Sequence, residues 1–220
     1  MTWVLNNAGL IGELTLSHIW LSLVPIVIGA LLSLPIGWLA HRFAIIRAPL
    51  LGAVGVLYTV PSLALFVLLP PLIGIPILSD ANVIIALAVY AVSIMVRSVA
   101  DAFASIDPSA LRAATAVGYG PWQRVFMVEL PLAAPVLVAG LRVVAASTVS
   151  LVTVGVLVGV KSLGYLFTDG FQRRIHEEIL IGIVMTLVVA ALFDLALILG
   201  KRALMPWHES LRRSLQKTGE

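Results

Sequence analysis

The chain has 220 residues, 60% of them hydrophobic and only 11% charged, with a net charge of +3 and a mean hydropathy of +1.08. A soluble domain carries about 25% charged residues, so a globule coated by its own polar side chains is excluded and the composition is that of an all-α, polytopic membrane protein. Cysteine is absent, which excludes disulfides and thiolate metal sites.

The chain opens MTWVLNNAGLIGEL, with no Lys or Arg before the first apolar run. A cleaved signal peptide wants a basic start, so residue 19 onward is expected to be a permanent span. Residues 19–40 carry no charge and are long enough to cross about 30 Å of hydrocarbon. Trp20 and Trp38 stand near the two ends, as interfacial anchors do. Residues 49–79 are also uncharged but too long for one straight span. Pro61 and the Pro70-Pro71 pair divide them, which predicts a span over 50–69 and an outer turn through Gly74, Pro76 and Asp80. A re-entrant segment would fit the same residues. A third span is expected over 82–104, a fourth over 132–154 and a fifth over 179–200. Between the last two, residues 155–178 hold Lys161, Asp169, Arg173, Arg174 and His176 and are expected outside. The whole chain, 1–220, reads as one transmembrane domain with its core at about 17–200 and a basic tail over 201–220.

Orientation follows from the basic residues. Arg42, Arg47, Arg112, Arg124, Lys201, Arg202, Arg212, Arg213 and Lys217 fall on one side; Lys161, Arg173 and Arg174 fall on the other. The richer side is expected in the cytoplasm, with the N-terminus outside and the C-terminus inside.

Residues 107–131, DPSALRAATAVGYGPWQRVFMVELP, are the longest segment that does not read as membrane, and they lie on the cytoplasmic side. Asp107 can cap a helix and Pro108 suits its first position. Gly118 can take the left-handed conformation that ends the helix. Gly120-Pro121 restarts the chain, and residues 122–130 read as a second short helix stopped by Pro131. The expected result is a stiff helix–turn–helix elbow in water, suited to touching a partner.

Ala113-Ala114, Gly118 and Val128-Glu129-Leu130-Pro131 resemble the "EAA" loop of binding-protein-dependent ABC importer permeases, except that Arg112 stands where the family has Glu. Thr59-Val60-Pro61-Ser62-Leu63-Ala64, Trp122-Gln123, Ala139-Gly140-Leu141-Arg142 and Ser162-Leu163-Gly164 are similar to the osmoprotectant permeases, which carry glycine betaine, carnitine and choline. The resemblance covers roughly residues 17–200. It implies a five-span permease in the bacterial cytoplasmic membrane, without catalysis of its own. ABC ATPase subunits would hold the ATP and Mg and would dock on Arg112, Ala113, Ala114, Gly118, Leu130 and Pro131. A second permease copy or a sister chain would complete the pore, and an extracytoplasmic binding protein would deliver the solute. No cofactor on this chain and no nucleic acid are implied. The substitution at Arg112 leaves both a homodimer and a heterodimer whose sister carries the Glu. A permease of the same frame for an amino acid or related solute, an intramembrane enzyme, and a membrane scaffold or sensor are the competing readings.

Four charges fall inside spans: Arg97, Asp101, Arg142 and Asp194. By helical rise Arg97 and Asp194 lie about 10 Å, and Arg142 about 16 Å, from the cytoplasmic end of their spans. Such charges are costly and point to function; they either snorkel separately or share a network near the inner mouth. For the solute path, a quaternary ammonium cannot donate N–H hydrogen bonds, and aromatic faces suit its diffuse charge. Tyr58, beside the Pro61-Ser62 break, and Tyr90 are the candidates, with the carbonyl of Leu57 freed by Pro61; the plainer alternative is tyrosines packed between helices. Gly155 to Ser162 approaches a phosphate-cradling pattern but has Val160 where the second glycine belongs. The histidines His18, His41, His176 and His208 are scattered, which argues against a metal site.

Overall fold

A computed structural model describes residues 2–205. Its helices are α1 (Thr2–Asn6), α2 (Ala8–Arg42), α3 (Ala44–Thr59), α4 (Ser62–Ile73), α5 (Asp80–Ala104), α6 (Pro108–Ala116), α7 (Pro121–Arg124), α8 (Leu130–Val152), α9 (Gly164–Arg173) and α10 (His176–Leu204). A π-turn, Val125–Glu129, joins α7 to α8, and a 3-10 turn, Thr153–Val158, follows α8. Among the described residues four helical runs, in α2, α5, α7–α8 and α10, are long and apolar enough to cross a membrane, and α3 with α4 passes the same test only as a pair, bent by 106° as a broken span or a re-entrant loop is. Of the basic tail over 201–220, residues 206–220 lie outside the described residues.

The centre of the bundle is α5. Ser79 caps it by accepting the backbone N–H of Asn82 at 3.2 Å, and Asp80 in the first turn complements the positive helix end. One side of α5 meets α2 almost backbone to backbone. A Cβ on Gly29 would lie 2.4 Å from the Cβ of Ala91, and one on Gly37 would lie 2.5 Å from the Cβ of Val99 and 2.7 Å from the carbonyl oxygen of Val96. Ser33 sits between them, fully buried, its hydroxyl 3.5 Å from the Val92 carbonyl. Small residues four apart thus let two apolar helices close on each other, where lipid offers no hydrophobic drive. Against α8 the same device recurs: a Cβ on Gly140 would meet the Cβ of Ser98 at 2.5 Å. Ile26, Met95, Val99, Phe103, Leu137 and Val144 fill the layer around these contacts.

Two sequence expectations are corrected. The span expected over 50–69 is not straight: it breaks at Val60-Pro61, both of which hold extended backbone angles. Proline disfavours the helical conformation of the residue before it and supplies no N–H of its own. The second half, α4, folds back over the start of α5, where the Asn82 side-chain amide donates to the carbonyls of Phe66 at 2.9 Å and Ile77 at 3.0 Å. The second elbow helix does not stop at Pro131. In the π-turn the Leu130 N–H reaches the Val125 carbonyl, five residues back, and Pro131 falls in the first turn of α8. This one-residue expansion lets the chain pass through a proline without ending the helix. The polar stretch over 155–178 packs onto the bundle. It folds back as α9, with Leu163 and Leu166 fully buried against Leu14, Val149 and Val189.

The last span, α10, is mostly exposed, and a polar contact joins its middle to α8. Arg142 on α8 grips Asp194 on α10 in a bidentate pair, Nε to Oδ1 at 2.5 Å and Nη2 to Oδ2 at 2.8 Å. Both bonds are charge-assisted and lie in the geometry that suits the guanidinium fork.

Two outcomes are expected. Gly37→Leu must push α2 and α5 apart; overpacking of this kind costs about 1–3 kcal/mol and should lower the unfolding temperature of the detergent-solubilised protein. Gly12→Ala, whose new methyl would touch nothing within 4 Å, should not. Equal unfolding temperatures would contradict the close-packing account. For the ion pair, Arg142→Leu and Asp194→Leu should each destabilise more than the double variant, because each alone strands a charge in the membrane. A thermodynamic cycle measures the coupling, and strict additivity would show that the two charges stand independently.

Candidate functional site

The break in the second span opens a groove beside α5. At the break Val60 turns its N–H to the Leu57 carbonyl at 3.3 Å. Leu57 therefore does not offer a free acceptor, contrary to the expectation from helix geometry. The carbonyl released is that of Val60, and the Tyr90 hydroxyl donates to it. Tyr90 is nearly enclosed, 4% exposed, while Tyr58 stands 51% exposed. Their rings meet edge to face, with centroids 6.3 Å apart and planes at 80°. Of the two candidate tyrosines, one is committed to holding the break and the other presents its ring to the groove. Ser62, Ser147 and Ser150 line the same recess, the last two brought in by α8.

From Tyr58 the groove continues along α5 past Gly55, Ser93 and Arg97 to Asp101, and from Arg97 it runs past Gly52 to Arg47. The four intramembrane charges thus divide. Arg97 and Asp101 line the groove, joined by Arg47, whose guanidinium lies 3.7 Å from the Asp101 carboxylate. Arg142 and Asp194 form their own pair between α8 and α10 and do not enter a common network with the other two. Sequence reasoning does not single out Arg47, Ser93, Ser147 or Ser150 as parts of a site. The spacing of Tyr90, Ser93, Arg97 and Asp101 places all four on one helical face, and that stripe is the sequence signal that marks a polar lining.

The elbow is built from caps. The Asp107 side chain accepts the Ser109 N–H at 2.7 Å, and this bond holds its carboxyl below the usual carboxylate range. At the other end Gly118 has φ +97, the Gly118 N–H reaches the Thr115 carbonyl at 3.1 Å, and the Tyr119 N–H reaches that of Ala114 at 3.1 Å. This pair of bonds is a Schellman C-cap, and its left-handed residue is one that glycine fills without strain. Arg124 then locks the two short helices together. Its Nε donates to Glu129 at 2.8 Å and its Nη1 donates to the Thr115 hydroxyl at 3.3 Å. Glu129 is 6% exposed. Trp122 stacks between Trp38 and Phe126, at 5.8 and 6.4 Å, and ties the elbow to the end of α2. Ala114 is buried on α6, Arg112 and Ala113 are exposed, and Leu130 and Pro131 sit half-buried at the root of α8. The elbow therefore presents Arg112, Ala113, Val117 and Tyr119 on a rigid frame.

The glycine-bearing segment before Lys161 has spent its polar groups on the fold. The Ser162 hydroxyl donates to the Val152 carbonyl at 3.2 Å, and the Lys161 carbonyl accepts from Ser17 at 2.7 Å. His18 is fully buried, with Nε2 at 3.1 Å from the Val149 carbonyl.

Comparison with known proteins places this architecture. The chain is 30% identical over 197 residues to the osmoprotectant import permease protein OsmW of Salmonella typhimurium (strain LT2), covering 87% of this chain and 90% of that protein. It is 30% identical over 201 residues to the choline transport system permease protein OpuBB of Bacillus subtilis (strain 168), covering 91% of each. A chain of the MetNI methionine ABC transporter in an inward-facing conformation matches it with a TM-score of 0.81 at 22% identity, covering 90% of this chain and 97% of that one; this likeness is one of fold. The model of the family described as "binding-protein-dependent transport system inner membrane component" matches residues 26–207. With that match running from within α2 through α10, the chain belongs to the family of inner-membrane components of binding-protein-dependent transport systems.

Proposed function

We propose that this chain is the permease subunit of an ATP-driven importer for small osmoprotectant-type solutes, quaternary ammonium compounds such as glycine betaine, choline and carnitine. The observation that carries the reading is the half-exposed Tyr58 ring at the mid-span break, opening into a groove that runs toward the end of α5. A permease must release what it binds, so one or two weak aromatic contacts serve it better than a full cage. The names of the relatives favour the same solute class. ATP and Mg reside on separate ATPase subunits, which grip the elbow at Arg112, Ala113, Ala114 and Gly118, with Leu130 and Pro131 transmitting the movement into α8. A second copy or a sister permease closes the groove into a pathway, and an extracytoplasmic binding protein supplies the solute. The elbow and the C-terminus face the cytoplasm, and the N-terminus faces outward.

Reconstituted with its ATPase and binding protein, the permease should take up labelled glycine betaine, choline or carnitine only with ATP present; uptake of none of them would overturn the reading. Gly118→Val puts a β-branched side chain at φ +97, a strain of about 1–2 kcal/mol that should turn the elbow. The variant should reach the membrane yet lose ATPase co-purification and uptake, and normal uptake would remove the elbow from coupling. Arg112→Glu should be tolerated.

Orientation is read by labelling. A cysteine at Ser109 should resist an impermeant thiol reagent applied from outside intact cells, and one at Asp169 should react. The reverse pattern would invert the topology.

A further inference from the structure

We infer that Arg97 makes the groove selective for solutes that carry a carboxylate, zwitterions above all, over solutes whose only charge is positive. The inference rests on the permease reading above and names the charge class within it.

Three observations lead there. First, Arg97 has no counter-ion among the described residues. One turn away, Asp101 is compensated by Arg47 at 3.7 Å, whereas among the described residues no carboxylate or carbonyl holds the Arg97 guanidinium. The contrast with Arg142 is direct, since that arginine spends both edges on Asp194. Second, Arg97 lies about 10 Å inside its span by helical rise, where a charge is costly unless it reaches water, and its side chain lines the groove. Third, Gly52 and Gly55 on α3 line the same recess as Arg97, and a Cβ on either would meet nothing within 4 Å, so no side chain of α3 at these two positions fills the groove beside the guanidinium.

Tyr58 and Arg97 line the same recess. A zwitterion can thus turn its ammonium toward the Tyr58 ring and its carboxylate toward the guanidinium, whose fork matches a carboxylate in two parallel hydrogen bonds. The charge balance of Arg47, Arg97 and Asp101 is one positive. A lone cation entering the groove is repelled by it, and a carboxylate is drawn in, by the logic of charged rings in pores.

The test is uptake of labelled glycine betaine and choline by the complete transporter in proteoliposomes, with the binding protein saturated and rates taken per transporter incorporated. Wild type should favour glycine betaine. Arg97→Gln should slow glycine betaine by about tenfold or more, the worth of one charge-assisted hydrogen bond, and should leave choline within about twofold or faster. Arg97→Lys, which keeps the charge, should keep the preference. Tyr58→Leu should slow both solutes alike, since both carry the ammonium. An equal loss of both solutes in Arg97→Gln, no change in either, or a preference abolished by Arg97→Lys would overturn the charge selection while leaving the permease reading intact. Wild type that carries neither solute would overturn the permease reading itself.

Discussion

The contact between α2 and α5 sets everything else. Two glycines and a serine, each four residues apart, bring the helix backbones together at Gly29, Ser33 and Gly37. In a bilayer this is how helices gain attraction: backbones approach, dispersion contacts multiply and no apolar surface is withdrawn from water. Because α2 claims one side of α5 and α8 claims a second at Gly140, the remaining side is not free to rotate. That side carries the buried Tyr90 and Ser93 and the exposed Arg97 and Asp101, and it is the floor of the groove. A packing device built of residues without chemistry thus fixes where the chemistry points.

The broken second span depends on the same frame. Breaking a helix inside the membrane releases backbone groups that lipid cannot satisfy. Here Val60 turns its N–H inward to Leu57, and its carbonyl is taken by a hydroxyl from the rigid helix next door. Tyr90 is therefore structural in its hydroxyl and part of the groove in its ring, while Tyr58 meets that ring edge to face and stays half exposed. One interaction stabilises the break and orients the aromatic pair.

Much of this is legible in the sequence, and the limits have physical causes. Span number and approximate position follow from charge-free length, since an apolar run of that size has one solvent available to it. Asp107, Pro108 and Gly118 announce a capped helix because caps are local: the donor and acceptor lie within a few residues. Pro131 and Pro61 both mislead, in opposite senses: the helix runs on through the first and breaks at the second. A proline removes one hydrogen bond in either case, but whether the chain bends or absorbs the loss in a π-turn depends on what packs around it. At Val125–Glu129 the buried Glu129, held by Arg124, keeps the helix running. Counting one turn back from Pro61 assigns the freed carbonyl to Leu57, a rule that holds only when the helix continues past the proline. The pairing of Arg142 with Asp194 rather than with Asp101 spans fifty-two positions and follows from which helix faces which, information absent from local pattern.

The two span arginines show how the same residue type takes opposite roles. An arginine in hydrocarbon has two ways to exist: it acquires a carboxylate, or it acquires water. Arg142 took the first course and holds the outermost span onto the bundle, where a neutral ion pair costs least. Arg97 has no carboxylate, and the helix that could have packed over it carries glycine at positions 52 and 55 instead. An unpaired charge is unfavourable in a bundle optimised only for stability, and Arg97 and the two glycines line one recess. Their coincidence on one face places the cost where a pathway must be wet and charged, which is the physical argument for reading the groove as the route of transport.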